Sequence, residues 1–191
     1  MSRAPDLQSM IFMKVGRHAD ETFEDIIERK RREYDKAGKI FWGYGGGTMH
    51  PISKLQPFVS HRIEHGDDIT LVMQEIVSNH YEAAVATEYS KDGINWEPIP
   101  EGIEVRGSRY AVVLDEIQEG DLSFDLSEYR VGYGPSEGKI ASNYIMGRVD
   151  KGCLVRADKH NEVVPRKLVQ SRYFAKLQRP YGVLLRTTPK D

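Results

Sequence analysis

Residues 10–44 read MIFMKVGRHADETFEDIIERKRREYDKAGKIFWGY. Within them Phe23, Ile26, Ile27, Tyr34 and Ala37 recur at the spacing of one helical face, which predicts a helix over about residues 21–37. Its ends agree with that. Asp20 or Thr22 can cap the N-terminus, Glu21, Glu24 and Asp25 fall in the first turn, and Arg29 to Arg32 and Lys36 come late, where they complement the helix dipole. Gly38 follows as the stop. Apolar, strand-like runs flank the helix at Met10 to Val15 and Lys39 to Tyr44, so the opening reads as β-α-β, with two parallel strands joined by a right-handed crossover.

Beyond it the rhythm is that of strands. Ile69 to Val77, Glu82 to Tyr89 and Arg109 to Ile117 are rich in Val, Ile, Tyr and Ala and predict a largely antiparallel sheet. Asp92-Gly93 marks a hairpin tip, with Trp96 packing across the strands. Further strands are expected at Glu128 to Tyr133 and Tyr144 to Val149. A last helix is expected from Pro165, a residue suited to the first helical position, to about Gln178. The fold expected is therefore α+β: an N-terminal β-α-β unit, a strand-rich sheet and a C-terminal helix. With no linker and no repeat in 191 residues, a single domain over 1–191 is expected.

At 39% apolar and 29% charged residues the chain has the means to bury a core. A net charge of −2 argues against a surface built as a whole to hold nucleic acid or anionic lipid, so any basic site is local. The single Cys153 excludes an internal disulfide framework and favours a reducing, cytoplasmic setting, and no apolar run is long enough to span a bilayer. Charge is unevenly placed. Residues 97–128 hold nine acids against Arg106 and Arg109, a formal −7, whereas residues 159–191 hold eight bases against two acids, a formal +6. Two opposed faces, or one self-complementary pair of segments, should result.

The most unusual stretch is KIFWGYGGGTMHP, residues 39–51. A strand ending in glycines and followed by a helical turn aims unpaired backbone N–H groups at an anion, and Trp42 and Tyr44 are placed to stack a base or sugar. Trp42, Tyr44, Gly45, Gly46, Gly47 and Thr48 are therefore the first candidate ligand residues, and His50 is the candidate acid or base beside them. The simpler alternative is a tight turn with its aromatics in the core. The pattern fits neither a phosphate loop nor a dinucleotide fingerprint. A second glycine loop, VGYGPSEGKIAS at 131–142, is a flexible connection that also fails the phosphate-loop spacing, but Arg130, Tyr133 and Lys139 would serve an anion nearby.

His61, Glu64 and His65 form an H-x-x-E-H pattern, which on a helix would bring two imidazoles to one face. Gly66 follows at once and the chain is short for such a peptidase, so a chance match is the simpler account and no metal is expected. Cys153 reads as a small buried hydrophobe. Arg166, Lys167, Arg172 and Lys176, interleaved with Tyr173 and Phe174, are candidate contacts for phosphates and stacked bases, or else simply a solvated face.

Three functions follow, in this order. The first is an intracellular binding module for a nucleotide-like or anionic small molecule, extending in one form to a nucleic-acid strand over the basic C-terminal region. The second is a small hydrolase or transferase acting on a phosphorylated or nucleotide substrate through His50. The third is a protein-binding inhibitor that presents the acidic 97–128 segment to a protein partner. No cofactor is assigned.

Overall fold

The computed structural model describes residues 4–80, 84–147, 149–157 and 164–188. Ten strands and three helices follow in the order β1 (Ser9–His18), α1 (Phe23–Ala37), β2 (Ile40–Tyr44), α2 (Gln56–Glu64), β3 (Ile69–His80), β4 (Glu88–Ser90), β5 (Glu97–Pro98), β6 (Tyr110–Leu114), β7 (Gln118–Asp125), β8 (Tyr129–Val131), α3 (Ala141–Tyr144), β9 (Lys151–Arg156) and β10 (Leu168–Arg186). A π-helical turn, Pro51–Leu55, leads into α2. Strand takes 43% of the described residues against 21% for helix, and one mixed ten-stranded sheet organises them in the order β2-β6-β10-β3-β1-β9-β8, with β4 and β7 pairing to β10 off this path and β5 pairing to β4.

The helix expected at 21–37 forms as α1, closed by a capping box between Thr22 and Asp25 and by Gly38 in the left-handed region at φ +69°. Its setting differs from the expectation. β1 and β2 are not neighbours: β1 pairs in parallel with β3, Met10 opposite Thr70, while β2 pairs antiparallel with β6, Ile40 opposite Leu114. The β-α-β unit is thus overturned. β1 reads MIFM because it is covered on both faces, and only a central strand needs that. Ile11 and Met13 meet Phe23, Ile26 and Ile27 of α1 and Phe58 and Val59 of α2, while Met10 and Phe12 meet Phe124, Leu126, Tyr129 and Ile145.

The expected C-terminal helix is overturned as well. Residues 168–186 form β10, the longest strand, which pairs with β7 and β3 in its first half and with β6 and β4 in its second. Over residues 168–173 exposed Leu168, Gln170 and Arg172 alternate with buried Val169, Ser171 and Tyr173, a period of two that no helix produces, before Phe174 is buried on the face opposite Tyr173. Pro180 lies where the register slips, between Leu177 opposite Leu114 and Gly182 opposite Val112, so no ladder hydrogen bond is lost to it. The strand expected at Tyr144 to Val149 is replaced by the short α3, and of the strand expected at 82–89 only β4 forms, residues 82 and 83 lying outside the described residues. The hairpin at Asp92-Gly93 joins β4 to β5 as expected, and Arg186 stacks on Trp96 at 4.1 Å from the ring centre.

Charge locks the two oppositely charged segments together. β7 from the acidic stretch lies against β10 from the basic one, with Arg166 on Asp125 at 2.9 Å and Arg172 on Glu119 at 2.7 Å. Asp125 is buried, and its carboxylate also accepts the N–H groups of Ser127 and Lys167. Although burial opposes it, these bonds hold the Asp125 carboxyl below the usual carboxylate range. The segments are self-complementary rather than two opposed faces.

Candidate anion-binding site

The ends of β1, β2 and β3 and the loop 105–109 enclose a cleft of about 590 Å³ with α1 along one side. Close approach of backbone shapes it. A Cβ on Gly16 would stand 2.0 Å from Ser78 Oγ, and one on Gly43 would stand 2.3 Å from Ser108 Oγ and 2.7 Å from Val105 Cγ1, so β1 and β2 reach the cleft only with glycine at these two positions. Gly45, Gly46 and Gly47 differ in kind. Nothing lies within 4 Å of where their Cβ atoms would be, and Gly46 has φ +83°.

The lining is strongly cationic. Lys14, Arg17, Arg29, Lys30, Arg106, Arg109 and Lys151 all border the cleft, against one carboxylate among the described residues, Asp150. Four of these bases are committed to the protein. Arg29 grips Glu21 through two bonds of 2.7 and 2.8 Å, Arg106 donates to Glu104 at 2.7 Å, and Lys151 donates to Asp150 at 2.6 Å. Lys30 is buried and donates to both oxygens of Glu33 (3.0 and 3.1 Å) and to the carbonyls of Phe41 (2.6 Å) and Glu104 (2.8 Å). Burial pushes the Lys30 ammonium down to about 8, with the Glu33 charge opposing. Lys14, Arg17 and Arg109 are another matter: among the described residues no carboxylate lies within 4.0 Å of any of them. His18, also on the lining, donates from Nε2 to the Arg106 carbonyl at 2.7 Å, which fixes the proton on that nitrogen.

Of the residues singled out from sequence, Trp42, Tyr44, Gly45 and Gly46 border this cleft, and Gly47 and Thr48 follow directly. The two aromatics are core residues, 3% and 5% exposed, and the Tyr44 hydroxyl donates to the Met49 carbonyl. They shape the cleft's wall rather than offer a stacking face. His50 does not border it. Its Nδ1 accepts the Ser53 N–H at 3.3 Å and its ring stands against Tyr110, so it serves as the cap of the π-helical turn. Arg130 lies on β8 and donates to the Gly138 carbonyl at 2.7 Å, while Tyr133 and Lys139 are exposed on the loop that follows β8. Lys54 adjoins both loops: it donates to the Gly47 carbonyl at 2.9 Å and its Cδ stands 3.8 Å from where a Gly134 Cβ would be.

The remaining candidates are dispersed. Arg166 and Arg172 hold the carboxylates already named, Lys176 pairs with Asp68 at 3.2 Å, and Lys167 Nζ donates to the Ile145 carbonyl at 2.5 Å. His61, Glu64 and His65 are exposed at the end of α2, and His65 donates to the His61 carbonyl at 2.7 Å. Among the described residues no three His, Cys, Asp or Glu side chains gather in a way that would hold a metal ion. Burial pushes the Cys153 thiol up to about 12, the behaviour of a core residue rather than a nucleophile.

Sequence reasoning missed Lys14, Arg17, Arg106, Arg109 and Asp150. The only trace was the change from apolar to basic residues at the end of β1. Nothing local joins residues 14–18 to residues 105–109. Among the described residues no helix is long and apolar enough to cross a membrane. Comparison with known proteins finds no matching family model, curated protein or solved structure.

Proposed function

We propose that this chain binds a small, multiply charged anion, of the phosphorylated or nucleotide-like class, in the cleft at the ends of β1, β2 and β3. One observation carries the reading: Lys14, Arg17 and Arg109 border a single cleft with no carboxylate of the described residues within 4.0 Å of any of them, the Asp25 charge reaching Arg17 only from farther off, while the bases around them are paired. Cations brought together repel one another, and a bound anion relieves that repulsion. A volume of about 590 Å³ is in the range of small-molecule sites, and the open Gly45–Gly47 backbone leaves room for an anion to approach N–H groups. Arg166, Arg172 and Lys176 have carboxylate partners of their own, which favours a small molecule over a nucleic-acid strand.

Calorimetric titration with pyrophosphate and with ADP tests this. Both should bind, and raising the salt from about 50 to about 200 mM should weaken both, because mobile ions screen the partly exposed cations. Failure of both to bind at low salt overturns the proposal.

A further inference from the structure

The geometry points to Asp150 as a selector for hydroxyl groups on the bound anion, so that the ligand is a sugar phosphate or the ribose phosphate of a nucleotide rather than a bare polyphosphate. The inference rests on the anion-binding reading above and narrows its ligand.

A carboxylate is an acceptor with no donor of its own, and it repels phosphate. Asp150 is nonetheless, among the described residues, the one carboxylate bordering a cleft that seven basic side chains also border. It is held firmly. Its Oδ1 accepts from Lys151 Nζ at 2.6 Å, and Lys151 is itself only 8% exposed. Its backbone carbonyl accepts the Lys14 main-chain N–H at 2.8 Å, so the two residues meet through their backbones. Oδ2 receives no hydrogen bond from the described residues, and the side chain is 44% exposed. An acceptor that borders the same cleft as Lys14, Arg17 and Arg109 suits a ligand that carries hydroxyls a few bonds from its phosphate, which is the chemistry of a sugar phosphate.

The test is calorimetry on the whole chain and on Asp150→Asn with three probes: pyrophosphate, ribose 5-phosphate and ADP. Asn keeps an acceptor for Lys151, and an unchanged thermal midpoint checks that the fold is retained. The charge on an accepting oxygen roughly doubles the strength of its hydrogen bond. Asp150→Asn should therefore weaken ribose 5-phosphate by about tenfold and leave pyrophosphate unchanged or tighter. A parallel loss for ADP identifies the nucleotide ribose as the group read, whereas a loss confined to ribose 5-phosphate identifies a free sugar phosphate. Equal changes for all three probes, or no change for either ribose compound, overturn the inference. Failure of the unaltered chain to bind any of the three overturns the cleft reading itself and this inference with it.

Discussion

Glu33→Ala should lower the unfolding free energy by about 3–5 kcal/mol, a large part of the 5–15 kcal/mol typical of a folded domain. Lys30 and Glu33 sit one turn apart on the buried face of α1, both 2% exposed. Glu33 accepts from Lys30 and also from two backbone N–H groups, Phe41 at 3.0 Å and Glu104 at 2.8 Å. Lys30 answers with bonds to the carbonyls of the same two residues. The pair therefore clips α1 to β2 and to the segment leading into the cleft loop. Removing Glu33 strands a buried ammonium and leaves two buried N–H groups without an acceptor, and each of these carries its own desolvation cost. Glu33→Gln keeps an acceptor for the amides and should lose less. Urea unfolding followed by tryptophan fluorescence checks both variants, Trp42 being buried in β2. A loss below about 1 kcal/mol for Glu33→Ala would contradict this account of the pair.

Joint substitution of Lys14, Arg17 and Arg109 by Ala should reduce pyrophosphate affinity about 100-fold or more. A hydrogen bond to a charged group contributes about 1.5–3 kcal/mol, and solvent screening reduces each of these partly exposed contacts. The sum of three still exceeds the roughly 2.7 kcal/mol that 100-fold represents. Stability should change little, because none of the three side chains has a carboxylate of the described residues within 4.0 Å to lose. The control is the triple substitution of Arg166, Arg172 and Lys176, bases already paired with Asp125, Glu119 and Asp68. Pyrophosphate affinity there should stay within about twofold at constant ionic strength. The reverse pattern in the two triples would move the anion site to β10 and the residues just before it.

How much of this was legible in the sequence differs from element to element. α1 was, because its caps and its 3.6-residue stripe are local. That stripe runs on through Lys30 and Glu33, so the same periodicity pointed to a buried charged pair that composition disguised as a solvated basic run. The partner of β1 was not legible. A strand, a helix and a strand in succession do not say which strands become neighbours, and β3, about sixty residues on, takes the place expected for β2. In β10 the period of two was present but muted, since two of its inward residues, Ser171 and Ala175, are small, and Pro165 invited a helical start.

The site divides in the same way. The glycine-rich end of β2 announced itself because only glycine tolerates such close approach at Gly43. The charges that give the cleft its character come from positions some ninety residues apart, from Lys14 to Arg109, and only the assembled sheet brings them together. His50 looked chemical because it follows the glycines, and the fold uses it as a cap.

The most direct test of anion binding in this cleft is a titration of the isotopically labelled chain with pyrophosphate, followed by the backbone amide signals of its glycines. The account predicts concentration-dependent shifts at Gly16, Gly45, Gly46 and Gly107, which border the cleft, with Gly134 and Gly138 still. Shifts confined to Gly134 and Gly138, or no shift at any of the six, would contradict it.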